Sequence, residues 1–241
     1  MKWGDKYDDS YVEKLKELCE ANCSVPFKFW CFTDKPEKDW HISIPNTLDE
    51  FYDEERGFFW AYRKCSMFRH GQIIGDNRFF SNKSKLLFLD LDVIIHQDLK
   101  YFFELPNDKP WIVRGWWNDI LTVKRNYAKY KSTPLNSSVI LWEKGQMIPV
   151  WEHIKKNAEV IFFTYPSLDN YFAHHWYDPW DEDEGFLRGF PKGDIYSWYK
   201  GNTFPDDMEL KKLRTDHKIC LFNNSTQTEG ANDDEIKELW Q

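Results

Sequence analysis

No stretch of this chain approaches the ~18 consecutive apolar residues of a membrane-crossing helix, and residues 1–5, Met-Lys-Trp-Gly-Asp, open no apolar core of signal-peptide length. A soluble protein without a membrane span is expected. Basic residues are the minority, 32 Lys and Arg against 40 Asp and Glu, and no Lys/Arg-rich tract occurs. A formal net charge of -8 argues against a nucleic-acid partner, which calls for a basic stripe. Cysteine is sparse too: Cys19, Cys23, Cys31, Cys65 and Cys220 form an odd set with no Cys-x-x-Cys spacing. Neither a disulfide framework nor a zinc site is indicated, and reduced thiols in a cytoplasm fit best. The Asn-x-Ser/Thr triplets at Asn136, Asn223 and Asn224 would matter only in a secretory pathway. Internal repeats and low-complexity tracts are also missing.

What the chain has in quantity is aromatic residues: 13 Trp, 12 Tyr and 19 Phe, so core and cleft walls must be largely aromatic. Such walls suit sugar faces and nucleobases. A length of 241 residues supports a substantial core, and one domain covering 1–241 is expected.

The most informative stretch is Lys85-Leu86-Leu87-Phe88-Leu89-Asp90-Leu91-Asp92-Val93-Ile94-Ile95. An apolar run that reads as a buried strand leads directly into Asp-x-Asp, and a second apolar run follows. Two carboxylates so close repel one another unless a cation lies between them, and a hard divalent ion with oxygen ligands is the natural candidate. The bland alternative is a strand that ends in a solvated turn.

Around this stretch, helical and strand patterns alternate. Residues 9–22 bring Tyr11, Val12, Leu15, Leu18 and Cys19 to one face of a helix, and residues 27–32 read as a buried strand ending in Thr33-Asp34. With a short strand before the helix, these make a βαβ opening. An edge strand is expected near 41–44, a helix with Arg63 and Lys64 on a cationic face over 60–69, and a short helix over 98–103 with Asp98 as N-cap. Strands follow at 111–115 and 135–142, separated by a polar stretch over 117–134. Residues 145–157 and 167–175 read as helices, 178–193 as an acidic loop, 195–199 and 218–222 as strands, and 233–240 as a terminal helix. The alternation predicts an α/β fold with a mainly parallel central sheet flanked by helices, whose ligands bind at the carboxyl ends of strands, where Asp90 and Asp92 would sit.

Several stretches in order resemble the GT-A glycosyltransferases with an Asp-x-Asp motif, especially bacterial and viral members of the glycogenin-like type. They are Lys2-Trp3-Gly4 with Lys6-Tyr7 and Tyr11-Val12, residues 27–34, Arg63-Lys64-Cys65-Ser66-Met67-Phe68, Leu89-Asp90-Leu91-Asp92-Val93, Asn136-Ser137-Ser138-Val139 and Ser197-Trp198-Tyr199-Lys200. The resemblance implies a single Rossmann-like GT-A domain that transfers a sugar, a hexose by expectation, from a UDP- or GDP-sugar to a glycan or other acceptor. It also implies Mn²⁺ or Mg²⁺ on Asp90 and Asp92, and a cytoplasmic location, the host's cytoplasm if the source is viral. Chemistry agrees, because a departing diphosphate develops negative charge that a divalent ion and nearby lysines stabilise.

On the same footing, Lys64 and Lys200 are expected near the diphosphate, Trp3 and Tyr7 near the nucleotide base, and Asn136 and Ser137 near sugar hydroxyls. Asp169 is the expected acid beside the reacting sugar; its alternative is a first-turn acid answering a helix dipole. Trp116 or Trp117 is expected to line the sugar or acceptor pocket, unless the loop after Asp178 covers them. The chain departs from the family after residue 222: Asn223 stands where similar enzymes have a metal-binding His, and the Lys of a following Pro-Lys-Pro-like stretch is missing. Asn223 is then the expected third metal ligand. Two other readings remain: a haloacid-dehalogenase-type phosphatase with Asp90 as nucleophile, for which no downstream Asp pair follows an apolar strand, and a GT-A domain that binds without turnover.

Overall fold

The computed structural model describes residues 1–5, 7–44, 48, 59–69, 84–127, 133–181 and 183–222. In chain order its elements are α1 (Asp9–Ala21), β1 (Cys31–Thr33), β2 (His41–Ser43), a 3-10 helix (Phe59–Phe68), β3 (Lys85–Leu89), β4 (Val93–Ile95), α2 (Lys100–Glu104) and β5 (Trp111–Arg114). Then come α3 (Ile120–Tyr127), β6 (Leu135–Glu143), α4 (Ile148–Thr164), α5 (Leu168–His175), β7 (Arg188–Gly189), β8 (Ile195–Ser197) and β9 (Ile219–Leu221). The terminal helix expected over 233–240 lies outside the described residues.

Local sequence explains most of the helix ends. Asp8 accepts the Ser10 N–H to start α1, and Val12, Leu15 and Cys19 are buried at helical spacing along it. Ser167 caps α5 in the same way, accepting the N–H of Asn170. The N-cap position of α2 is Leu99 rather than the expected Asp98, but the Asp98 carboxylate accepts both Lys100 N at 2.9 Å and Ser24 N at 3.0 Å, so it ties the start of α2 to the turn after α1. Two helices differ from the sequence reading. The polar stretch 117–134 contains α3, and α4 runs on past Asn157, whose φ of -125° leaves helical geometry. Asn157 is a local stop signal, with its side chain turned back to the His153 carbonyl, but buried Ala158, Ile161 and Phe162 carry the helix onward.

The α/β class stands, and its strands form three described sheets: β1-β2, β3-β6-β5-β7 and β4-β9-β8. Pairing is more mixed than a uniform series of strand-helix-strand units would give. The pairs β1–β2, β5–β7 and β8–β9 are parallel, but β6 runs antiparallel to both β3 and β5, and β4 antiparallel to β9. The long central strand β6 is thus where the mainly parallel expectation gives way. An isolated parallel bridge between Lys2 and Thr33 completes the βαβ opening around α1.

Side-chain alternation along these strands divides the core in two. Ile112, Ile140, Trp142 and Phe88 face the cluster built with the 3-10 helix, α4 and α5. Trp111, Val113, Val139, Leu141 and Leu89 face the cluster built with α1 and α2. Ile94, Tyr196, Trp198 and Phe222 form a third, smaller cluster.

Candidate functional site

β3 stops at Leu89, β4 starts at Val93, and the two strands belong to different sheets. Asp90 and Asp92 therefore stand where the chain crosses from one sheet to another. Buried neighbours fix them there: Phe88, Leu89, Leu91 and Val93 are all within the core. The Asp90 N–H donates to the Ser138 carbonyl at 2.8 Å, and the Phe222 N–H donates to the Asp92 carbonyl at 3.2 Å.

Lys64 comes from the 3-10 helix, but its side chain is buried rather than on a solvated cationic face, with 9% exposure. Its Nζ meets Asp90 Oδ2 at 2.7 Å, and lies 3.4 Å from the Ser137 carbonyl. Tyr7 donates its hydroxyl to Asp92 Oδ2 at 3.2 Å. Burial pushes the Asp92 carboxyl up to about 6, the negative charge of Asp90 adds to the rise, and Lys64 partly opposes it. Burial and the two carboxylates likewise raise the Tyr7 phenol.

A β-bulge brings in a third acid. Between Ile112 and Val113 the β5–β6 register shifts, so Ile112 pairs with Ile140 and Val113 with Asn136, leaving residues 137–139 without partners in β5. Ser137 N–H is thereby released to donate to Asp169 Oδ1 at 2.8 Å, and the Ser137 side chain also bonds this carboxylate. Asp169 lies in the first turn of α5, where it faces β6. Burial raises its pKa, Lys64 draws it down and Asp90 pushes it up, so the three groups share one electrostatic neighbourhood. Lys200 belongs to the same cluster: burial lowers its pKa and Asp169 acts in the opposite direction.

The structure thus brings together Tyr7, Lys64, Asp90, Asp92, Ser137, Asp169 and Lys200. Asn136 accepts the Ser138 N–H at 3.0 Å, a local turn at the start of β6. Trp3 is half-buried beside Lys2, whose backbone pairs with Phe32. Trp117 is buried in the core against α1 and α2. Trp116 is half-buried: its Nε1 donates to the Phe190 carbonyl at 3.0 Å, from the loop after Asp178, and the Arg114 guanidinium stacks on its ring at 4.3 Å. Asn223 lies outside the described residues. Among the described residues no group of three or more His, Cys, Asp and Glu could hold a metal ion.

Three solved structures share this architecture over nearly the whole chain. The galactosyltransferase LgtC in complex with donor and acceptor sugar analogues matches with a TM-score of 0.62 and 11% identity, covering 99% of this chain and 93% of that one. An active-site mutant of LgtC matches with a TM-score of 0.57 and 13% identity, over 98% and 93% of the two chains. A glycosyltransferase involved in glycosylation of the major capsid of PBCV-1 matches with a TM-score of 0.55 and 16% identity, over 98% and 97%. The chain has the GT-A glycosyltransferase fold. No protein-family model matches it, and no curated protein sequence does. In this GT-A fold the acids sit at the crossing between sheets, with Lys64, Asp169 and Lys200 around them. Sequence reasoning placed these residues singly; it missed the Lys64–Asp90 pair, the Tyr7–Asp92 bond and the bulge that frees Ser137. The one local signal for the bulge was the polar Asn-Ser-Ser start of an otherwise apolar strand.

Proposed function

We propose that this chain, as one domain over 1–241, is a metal-dependent glycosyltransferase that moves a sugar from a UDP- or GDP-sugar to a glycan or other acceptor. The supporting observation is the Asp90–Asp92 pair at the sheet crossing of a GT-A fold, facing Lys64 and flanked by Asp169 and Lys200. The donor set fits Mn²⁺ or Mg²⁺: two hard carboxylates stand two residues apart, and Asp92, pushed up to about 6 chiefly by burial and further by the charge of Asp90, is a carboxylate whose charge a divalent cation would offset. Asp90 and Asp92 would hold the ion, with Asn223 as third protein ligand. When bound, it acts as a Lewis acid toward the leaving diphosphate.

The chain's own residues supply the rest. Lys64 and Lys200 donate to the diphosphate oxygens, adding fixed positive charge where negative charge develops. Asp169, positioned by Ser137, stands beside the reacting sugar, and Asn136 and Ser137 bond its hydroxyls. Trp3 and Tyr7 flank the base, with Tyr7 also orienting Asp92. The phosphatase reading has no support in the fold. A binding domain without turnover keeps one supporting observation, the missing His and Lys after Phe222. The five cysteines are free thiols, which supports a cytoplasmic setting. A thermal-shift screen of nucleotide-sugars with and without Mn²⁺ tests the proposal, because a ligand that binds only the folded state raises its apparent stability. Metal-dependent stabilisation by at least one nucleotide-sugar is expected; no response to any would contradict the proposal.

A further inference from the structure

β8 and β9 are neighbouring parallel strands, yet the chain between Ser197 and Ile219 contains no helix, only two isolated antiparallel bridges, Ser197 to Gly201 and Thr203 to Asp207. A parallel crossover is usually a helix, and a connection this long without one is uncommon and usually functional. This loop is built from two turns. The Ser197 N–H donates to the Gly201 carbonyl at 3.0 Å, the Gly201 N–H donates back to the Ser197 carbonyl at 2.9 Å, and the Lys200 N–H donates to Ser197 Oγ at 3.0 Å, so the first turn carries Lys200. In the second, the N–H groups of Asn202 and Thr203 donate to the Asp207 carbonyl at 3.2 and 3.0 Å, and the Asp207 N–H donates to the Thr203 carbonyl at 2.8 Å.

Both turns are tied to the walls of the site. The Phe204 N–H donates to the Trp116 carbonyl at 2.9 Å. Trp198 is fully buried with Ile94, Tyr196, Cys220 and Phe222, the last of which bonds the Asp92 carbonyl. One ion pair then ties the turns to the returning chain. The Arg214 guanidinium donates to both Asp207 carboxylate oxygens, Nη2 to Oδ1 at 2.6 Å, and to the Glu209 carbonyl at 3.2 Å, and the Arg214 side chain is only 10% exposed. Arg214 also holds the Asp207 carboxyl below the usual carboxylate range, so the pair is charged at neutral pH. The returning backbone is fixed too, with the Arg214 N–H on the Tyr196 hydroxyl at 3.1 Å and the Lys211 N–H on the Trp198 carbonyl at 2.7 Å. Little slack remains where the turns meet: Gly201 has a φ of 78°, and a Cβ there would lie 3.1 Å from both the Asp207 carbonyl oxygen and Met208 Cα.

We propose that Asp207 and Arg214 are positioning residues for the transfer reaction: their ion pair clasps the loop between β8 and β9 and so holds Lys200 against the donor diphosphate. The inference rests on the role given to Lys200 above. In this account neither member of the pair touches the donor; both act through the turn that carries Lys200. A lysine ammonium rides on a flexible four-carbon stem, and a positive charge stabilises a developing anion best where it is already in place. An ion pair that fixed no such group would contribute to stability alone.

A double-mutant cycle separates this role from a purely structural one. Binding of UDP and of GDP with Mn²⁺ is titrated for the parent, Lys200→Met, Asp207→Ala and the double variant. Asp108→Asn serves as control, because Asp108 makes a comparable two-pronged pair with Arg188 that carries none of the site residues. Asp207→Ala is expected to weaken nucleotide binding by ~3- to 10-fold in the parent and to cause no further loss in the Lys200→Met chain, and Asp108→Asn to leave affinity unchanged. Equal losses in both backgrounds, a comparable loss in Asp108→Asn, or unchanged affinity in Asp207→Ala would overturn the proposal. The two readings fail separately. Absence of nucleotide binding by the parent, or parent-like binding by Lys200→Met, removes the role of Lys200 and this proposal with it, whereas a silent Asp207→Ala beside a weakened Lys200→Met removes the proposal alone. If Asp207→Ala does not fold, Asp207→Asn, which keeps one oxygen for the Arg214 fork, takes its place in the cycle with the same expected pattern and the same overturning results.

Discussion

Lys64 and Asp90, 26 residues apart in sequence, meet at 2.7 Å as a largely buried ion pair. Asp92, two residues on, is held by a tyrosine hydroxyl instead of a cation. The lysine therefore offsets the charge of two neighbouring carboxylates, and removing it leaves both uncompensated. Lys64→Met keeps the apolar stem and drops the charge. We predict a loss of about 1–3 kcal/mol in metal-free stability, below the full cost of breaking a fully buried pair because Asp90 is partly exposed. Affinity for a nucleoside diphosphate should fall by ~10-fold or more. Urea unfolding in EDTA and titration with UDP check the two effects separately.

Asp92 sets the pH response of the metal-free protein. Its carboxyl is raised in the folded state from 3.8 to about 6, so between these values the folded chain holds a proton that the unfolded chain has lost. The contribution of Asp92 to stability therefore falls as pH rises through that window, and its penalty is complete above it. Asp92→Asn, which cannot ionise, should remove this component of the pH dependence and raise Tm at pH 7 by a few degrees. Thermal unfolding from pH 4 to pH 7 in EDTA reads it directly. A steeper fall in the variant than in the parent would contradict this account.

Asp169→Asn keeps an oxygen to accept the Ser137 N–H and removes the charge. The fold and the donor affinity should change little, within about threefold, while turnover drops by ~100-fold or more. The check is kcat measured separately from the dissociation constant of the donor.

Lys200 is a partly buried cation whose charged form is disfavoured by burial. Lys200→Met should leave stability unchanged or slightly higher and weaken diphosphate binding by about 5- to 20-fold. Parallel thermal-unfolding and UDP titration curves decide it.

Local patterns made much of the fold legible. The spacing of Val12, Leu15 and Cys19 gave α1, the helix expected over 167–175 is α5, and the apolar run into Asp90 marked the end of β3. Other features lay beyond such patterns because distant residues decide them. Asn157 looks like a helix stop, but the core contacts of Ile161 and Phe162 override it. Lys64 reads as a cation on a helix face near the diphosphate, and only the fold shows Asp90 against it. The bulge that frees the Ser137 N–H depends on how β5 and β6 align, and the antiparallel entry of β6 cannot be inferred from strand-helix alternation.

The central claim is that Asp90 and Asp92 bind a donor diphosphate through a divalent ion. Calorimetric titration of UDP and GDP into the parent chain, Asp90→Ala and Asp92→Ala, each with Mn²⁺ and with EDTA, tests it most directly. The account predicts Mn²⁺-dependent binding of at least one nucleotide by the parent, and loss of the Mn²⁺-dependent part in both variants with their folded circular-dichroism spectra retained. Nucleotide binding that is equally tight in EDTA, or Mn²⁺-dependent binding that survives in both variants, would contradict it.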